Sequence, residues 1–152
     1  MKMSMVSLGC DKNTVDSEMM LGLMNEKGFE YTDIDEEAEV MIINTCGFIQ
    51  SAKEESINAI LEAARLKEDG NLKALIVTGC LAQRYKDEII KEIPEVDALL
   101  GTSSFDKIVE TVEDVLGGEI KNEFLDLDRL PSISKKRKNS TGGYYAYLKI
   151  AE

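Results

Sequence analysis

The chain has 152 residues, 43% of them apolar and 31% charged, and a formal net charge of −11. That length fits one domain and not two ordinary ones, and folding at this size hides roughly 68–70% of the unfolded chain's surface, so a core forms without disulfide or metal staples. The apolar content excludes a disordered chain, no apolar run approaches the roughly 18–20 residues of a membrane-spanning helix, and the lack of any histidine excludes Ser–His–Asp triads, HExxH sites and Cys₂His₂ fingers together.

Met3–Leu8 reads as a first buried strand ending at Gly9-Cys10. Met1–Leu8 holds one lysine and only a short apolar stretch, too little for a secretory signal. Asn13 or Thr14 is placed to cap a helix with Val15, Met19, Met20, Leu23 and Met24 on one face, ending at Gly28. Phe29–Ile34 reads as a second strand, followed by the acidic turn Asp35-Glu36-Glu37. Val40–Ile43 is a continuous apolar run that leads through Asn44-Thr45 to Cys46-Gly47. Ser51 and Glu54 have capping-box spacing ahead of a helix carrying Ile57, Ile60, Leu61 and Ala64.

Ala74–Val77 is the next strand, ending at Thr78-Gly79-Cys80. A helix from Leu81 to Glu92 is closed by Pro94. Val96–Leu100 is a short strand, and Ser103 or Ser104 then caps a helix with Phe105, Ile108, Val109, Val112 and Leu116 inward, stopped by Gly117-Gly118. From Lys121 the pattern loosens into a linker, 121–143, which contains the basic run Lys135-Lys136-Arg137-Lys138. Tyr144–Ile150 reads as one more strand, the start of a second domain over 144–152.

Continuous apolar strands separated by amphipathic helices imply a sheet covered on both faces, hence a doubly wound, mainly parallel α/β fold over residues 1–120. Right-handed crossovers favour the flavodoxin-like strand order 2-1-3-4-5. The acidic balance argues against a direct grip on nucleic acid and suits a basic protein partner.

The three cysteines carry the chemistry. Cys10, Cys46 and Cys80 are 36 and 34 residues apart, and each adjoins a glycine just past a predicted strand. An odd number cannot pair internally, which suits a reducing, cytoplasmic setting. In the order 2-1-3-4-5 the strands that carry them are neighbours, so all three sulfurs fall at the crevice where such folds bind ligands. Thiolates there could hold an iron–sulfur cluster or, through three cysteines, zinc; equally, three buried cysteines could be small hydrophobes. Asn13, Asn44, Thr45, Gly47 and Arg84 are the candidates for supporting contacts around them.

Ser7-Leu8-Gly9-Cys10-Asp11-Lys12-Asn13 with Val15-Asp16-Ser17-Glu18, then Asn44-Thr45-Cys46-Gly47-Phe48-Ile49, then Thr78-Gly79-Cys80-Leu81-Ala82-Gln83-Arg84-Tyr85 resemble, in order, the three cysteine motifs of the radical S-adenosylmethionine methylthiotransferases. The resemblance covers nearly the whole chain, and Ala52–Ile57 is similar to the branch that acts on a ribosomal protein. Asp11 stands where proline is common in that branch. The resemblance implies that Cys10, Cys46 and Cys80 hold an auxiliary 4Fe–4S cluster with one open iron. It implies a radical domain, here missing, with a second 4Fe–4S cluster on CxxxCxxC and S-adenosylmethionine, and a C-terminal domain that helps bind substrate. The target would be the β-carbon of an aspartate in a small-subunit ribosomal protein, the twelfth by name. With no CxxxCxxC of its own, this stretch is expected to be inactive alone and to bind a cluster at most. The alternatives are the same chemistry on a tRNA adenosine, and a non-catalytic flavodoxin-like binding module.

Overall fold

A computed structural model describes residues 1–119, 122–125, 137–138 and 145–150. The expected Lys135 and Lys136 lie outside the described residues, as do Tyr144 and most of the linker. Five parallel strands are ordered β2-β1-β3-β4-β5, the expected order: β1 Lys2–Ser7, β2 Glu30–Tyr31, β3 Val40–Thr45, β4 Ala74–Gly79 and β5 Ala98–Leu100. Among the described residues five α-helices connect or flank them: α1 Asp11–Glu26, α2 Gln50–Asp69, α3 Cys80–Arg84, α4 Lys86–Glu92 and α5 Ile108–Leu116.

The central strands β3 and β4 are buried at every position, and apolar over Val40–Ile43 and Ala74–Val77, because both faces are covered. Met41, Ile43, Leu75, Val77 and Leu99 point to one side, where they pack with Ile60, Ala63, Leu81 and Ile89 of α2, α3 and α4. Val40, Ile42, Ala74, Ile76, Ala98 and Leu100 point to the other and meet Met20, Met24, Ile108 and Val112 of α1 and α5. This period of two, read across three aligned strands, fixes the register. Among the described residues no helix is long and apolar enough to cross a membrane.

Several local expectations are corrected. The second strand contracts from Phe29–Ile34 to Glu30–Tyr31, with a 3-10 turn at Asp35–Glu37 behind it. The reason lies in the register. Glu30 and Tyr31 pair with Lys2 and Met3, and Val40 also pairs with Met3. The end of β2 and the start of β3 therefore lie level, both opposite Met3, so the connection crosses β1 without having to return along the strand direction, and no full helix is needed. Helix α1 starts at Asp11, with Cys10 and not Asn13 or Thr14 at its N-cap. Helix α2 starts at Gln50 behind Ile49, so Ser51 is not its cap, and Gln50 Nε2 donates instead to Glu54 Oε1 at 2.9 Å. The single helix expected over Leu81–Glu92 is two, broken at Tyr85 (φ −120°, ψ 30°). No proline or glycine marks that break. Tyr85 packs on the core beneath the Lys53 ammonium, which lies 4.0 Å from its ring.

Neither Ser103 nor Ser104 caps a helix with its side chain; both hydroxyls serve the returning chain. Ser103 Oγ donates to Leu125 O and Leu125 N–H donates to Ser104 Oγ, each at 3.0 Å. Glu123 bridges Leu100 in parallel, and Asn122 Oδ1 accepts from Leu99 N–H at 2.9 Å. Residues 122–125 thus cover the outer edge of β5. Residues 145–150 form no strand; Lys149 pairs with Asp16 on α1, where no strand edge is available.

Candidate metal centre

The carboxyl ends of β1, β3 and β4 lie side by side, and each gives way to a cysteine-bearing loop or helix start. Cys10, Cys46 and Cys80 all line one cleft of about 820 Å³, with Gly9, Phe48, Ile49 and Glu55 among its walls. Cys10 and Cys80 are exposed and Cys46 is buried. Phe48, 87% exposed, stands at the rim.

Two glycines make the loops fit. Gly9 has φ +99°, and a Cβ there would lie 2.5 Å from Cys46 Cβ and 2.9 Å from its Sγ. Gly79 has φ +96° and ψ −162°, a region open essentially to glycine alone. A Cβ on Gly79 would meet Thr45 O at 2.4 Å and Asn44 Oδ1 at 2.5 Å. Gly47 is a third close approach, with a Cβ falling 3.2 Å from Leu81 Cα.

The residues expected around the cysteines are all nearby, but they hold backbone. Asn13 Nδ2 donates to Leu8 O at 2.7 Å and Thr45 O at 3.0 Å, tying the first two cysteine loops together. Asn44 Nδ2 donates to Asn13 O at 2.9 Å and to Ser17 Oγ at 3.0 Å. Thr45 Oγ1 donates to Thr78 O at 2.6 Å, joining β3 to β4 just before Cys80. Arg84 reaches across to the Gly47 carbonyl at 3.5 Å. The bonds of Asn13, Thr45 and Arg84 satisfy carbonyls at or just beyond the strand ends, and Asn44 ties β3 to α1.

Ser56 was not legible as a site residue. Cys46 N–H donates to Ser56 Oγ at 3.0 Å, and that hydroxyl donates to Cys46 O at 2.9 Å, so one fully buried serine holds both backbone groups of the middle cysteine. Its only sequence signal is a small polar residue one turn before Ile60, on the inward face of α2. Ser56→Ala leaves a buried donor and acceptor unpaired and should cost about 1–3 kcal/mol in denaturant unfolding. A loss under about 0.5 kcal/mol, the range of a neutral surface change, would contradict this role.

Burial pushes the Cys80 thiol above its ordinary pKa, and the nearby Cys46 and Cys10 push it further; Asp16 adds to this and Lys12 opposes it. A Cys80 thiol that resists ionising beside two other sulfurs is a poor resting place for a bare thiolate and a good one around a cationic core, which reverses the sign of the field. Cys10 also sits at the positive end of the 16-residue helix α1. Among the described residues no three Cys, Asp or Glu side chains are grouped to hold a single metal ion. A lone zinc needs its sulfurs about 2.3 Å from one point. A cluster presents separate irons and tolerates wider spacing.

Fold and cleft together define a parallel α/β domain with a three-cysteine site at its strand ends. Residues 2–101 match the model of the Uncharacterized protein family UPF0004, and the chain belongs to that family. It is 60% identical over its whole length to a protein of Lachnoclostridium phytofermentans named ribosomal protein uS12 methylthiotransferase RimO. Proteins of the same name from Acetivibrio thermocellus and Trichlorobacter lovleyi are 52% and 48% identical over 99% of the chain. The chain spans about a third of the length of these curated relatives, 34–35% of each.

Proposed function

We propose that this domain holds the auxiliary 4Fe–4S cluster of a methylthiotransferase whose substrate is the small-subunit ribosomal protein uS12, modified at the β-carbon of an aspartate. The observation that carries this reading is the meeting of Cys10, Cys46 and Cys80 in one cleft at the ends of three adjacent strands. Those three cysteines are the ligands. Bound by three thiolates, a four-iron cube keeps one iron open to a sulfur species, which is the chemistry it supplies.

The chain's own residues build the seat. Gly9 and Gly79 let two loops approach without side chains. Asn13, Asn44 and Thr45 tie the loops to one another and Ser56 anchors Cys46 to α2, so the cysteine side chains are held in place before any ligand arrives. Phe48 and Ile49 form an apolar lip beside the cysteines. Arg84 fixes the carbonyl of Gly47, one residue past the middle ligand.

The three cysteines form no CxxxCxxC. S-adenosylmethionine and the second 4Fe–4S cluster therefore belong to another part of the protein, and this domain alone transfers nothing. A ribosomal substrate places the work in the cytoplasm. The net charge of −11 favours a basic protein over nucleic acid. The test is an assay of the complete enzyme on uS12 and on tRNA under reducing conditions. A methylthio mass increment on uS12 alone is expected. Methylthio-adenosine in tRNA as sole product would reject the substrate assignment, and no transfer to either would reject the activity.

A further inference from the structure

Two carboxylates on α1 are buried. Glu18 is 1% exposed and Asp16 is 8% exposed. Buried acids of this kind need cations within hydrogen-bond reach. Theirs come from more than a hundred residues further along the chain. The Arg137 guanidinium pairs with Glu18 Oε2. Lys149 Nζ donates to Asp16 Oδ1 at 3.0 Å and Oδ2 at 3.2 Å. Lys138 N–H donates to Glu18 O at 3.3 Å.

The two points are tied to each other, because Arg137 also donates to the carbonyl of Tyr147. Lys138 and Lys149 place their ammonium groups 5.0 Å and 5.6 Å from the rings of Tyr31 and Phe105, on either side of α1. Tyr147, Leu148, Lys149 and Ile150 share a small groove with Asp11, Lys12 and Val15, immediately beyond Cys10.

We infer that Asp16 and Glu18 form a two-point latch that straps residues 137–138 and 145–150 across α1, positioning the polypeptide beyond the domain relative to the cysteine cleft. Apolar side chains would have buried that face at no greater cost. Ion pairs with fixed partners specify register, and register is what a connection between an auxiliary cluster and a second reaction centre requires. Asp16 and Glu18 are positioning residues acting through the strap. The functional half of the inference rests on the proposed methylthiotransferase reading; the latch itself does not.

Backbone ¹⁵N relaxation tests the latch on the 152-residue protein. In the Arg137→Gln/Lys149→Gln double variant, order parameters of residues 145–150 should fall from the rigid range, about 0.85, to below about 0.6, while β1, β3 and β4 keep theirs. Asp16→Lys should also release the segment, and adding Lys149→Asp should return the rigid values by restoring the pair with its charges reversed. Parent-like order parameters for 145–150 in the double variant would overturn the latch. So would an equal loss of order in the sheet, which would make the pairs general stabilisers. Iron uptake by the parent is measured alongside. Its failure would count against the cluster, and the relaxation data would still decide the latch.

Discussion

Replacing Cys10, Cys46 or Cys80 singly with alanine is expected to reduce iron uptake in anaerobic reconstitution from about four atoms per chain to near zero. In the proposed site each sulfur would bind a different corner of one cube, so the effect should be large: two thiolates on an exposed cleft would not retain it. The fold should survive. Cys10 and Cys80 are exposed, so their loss should change stability by no more than about 0.5 kcal/mol. Cys46 is buried against Gly9, and its truncation should cost about 1 kcal/mol. Iron analysis and denaturant unfolding on the same samples separate the two effects. Any single variant that stays folded and keeps the parent's iron content would remove that cysteine from the ligand set.

Gly79→Ala should be the most damaging single methyl in the domain, at about 3–5 kcal/mol. Alanine in that backbone region costs about 1–3 kcal/mol by itself. The new Cβ would stand 2.4 Å from a backbone oxygen, Thr45 O, on a neighbouring strand that cannot rotate away. Relief requires β3 and β4 to part at the very point where Thr45 Oγ1 bonds Thr78 O, and Cys80 moves with them. Denaturant unfolding measures the loss, and a cost below about 1 kcal/mol would mean the loop is not as constrained as its geometry states.

The sheet was legible because its central strands carry runs of successive apolar residues bounded by turn signals, a pattern characteristic of a doubly covered parallel strand. Val40–Ile43 and Ala74–Val77 carry it without interruption. The cleft was legible because cysteine and glycine adjoin at three strand ends, and the strand order then makes those ends neighbours. The role of the polar residues was not legible. Asn13 reads as a helix cap, yet it lies inside α1 and its amide bridges two loops distant in sequence. Ser51-x-x-Glu54 has capping-box spacing, but the backbone starts its helix one residue earlier. The break at Tyr85 follows from tertiary packing of one aromatic ring, which no local pattern encodes. Likewise Tyr144–Ile150 has strand composition, but the contacts of residues 145–150 are set by charges on α1 more than a hundred residues away. Asp16 and Glu18 in turn look like ordinary surface acids until their burial is seen.

The most direct measurement of the central claim is Mössbauer spectroscopy of the reconstituted domain before and after addition of a soluble sulfide or thiolate. Three cysteine ligands on a four-iron cube predict that one iron in about four responds and the other three do not. A spectrum in which every iron is insensitive, or a protein that binds a single metal atom per chain, would contradict it.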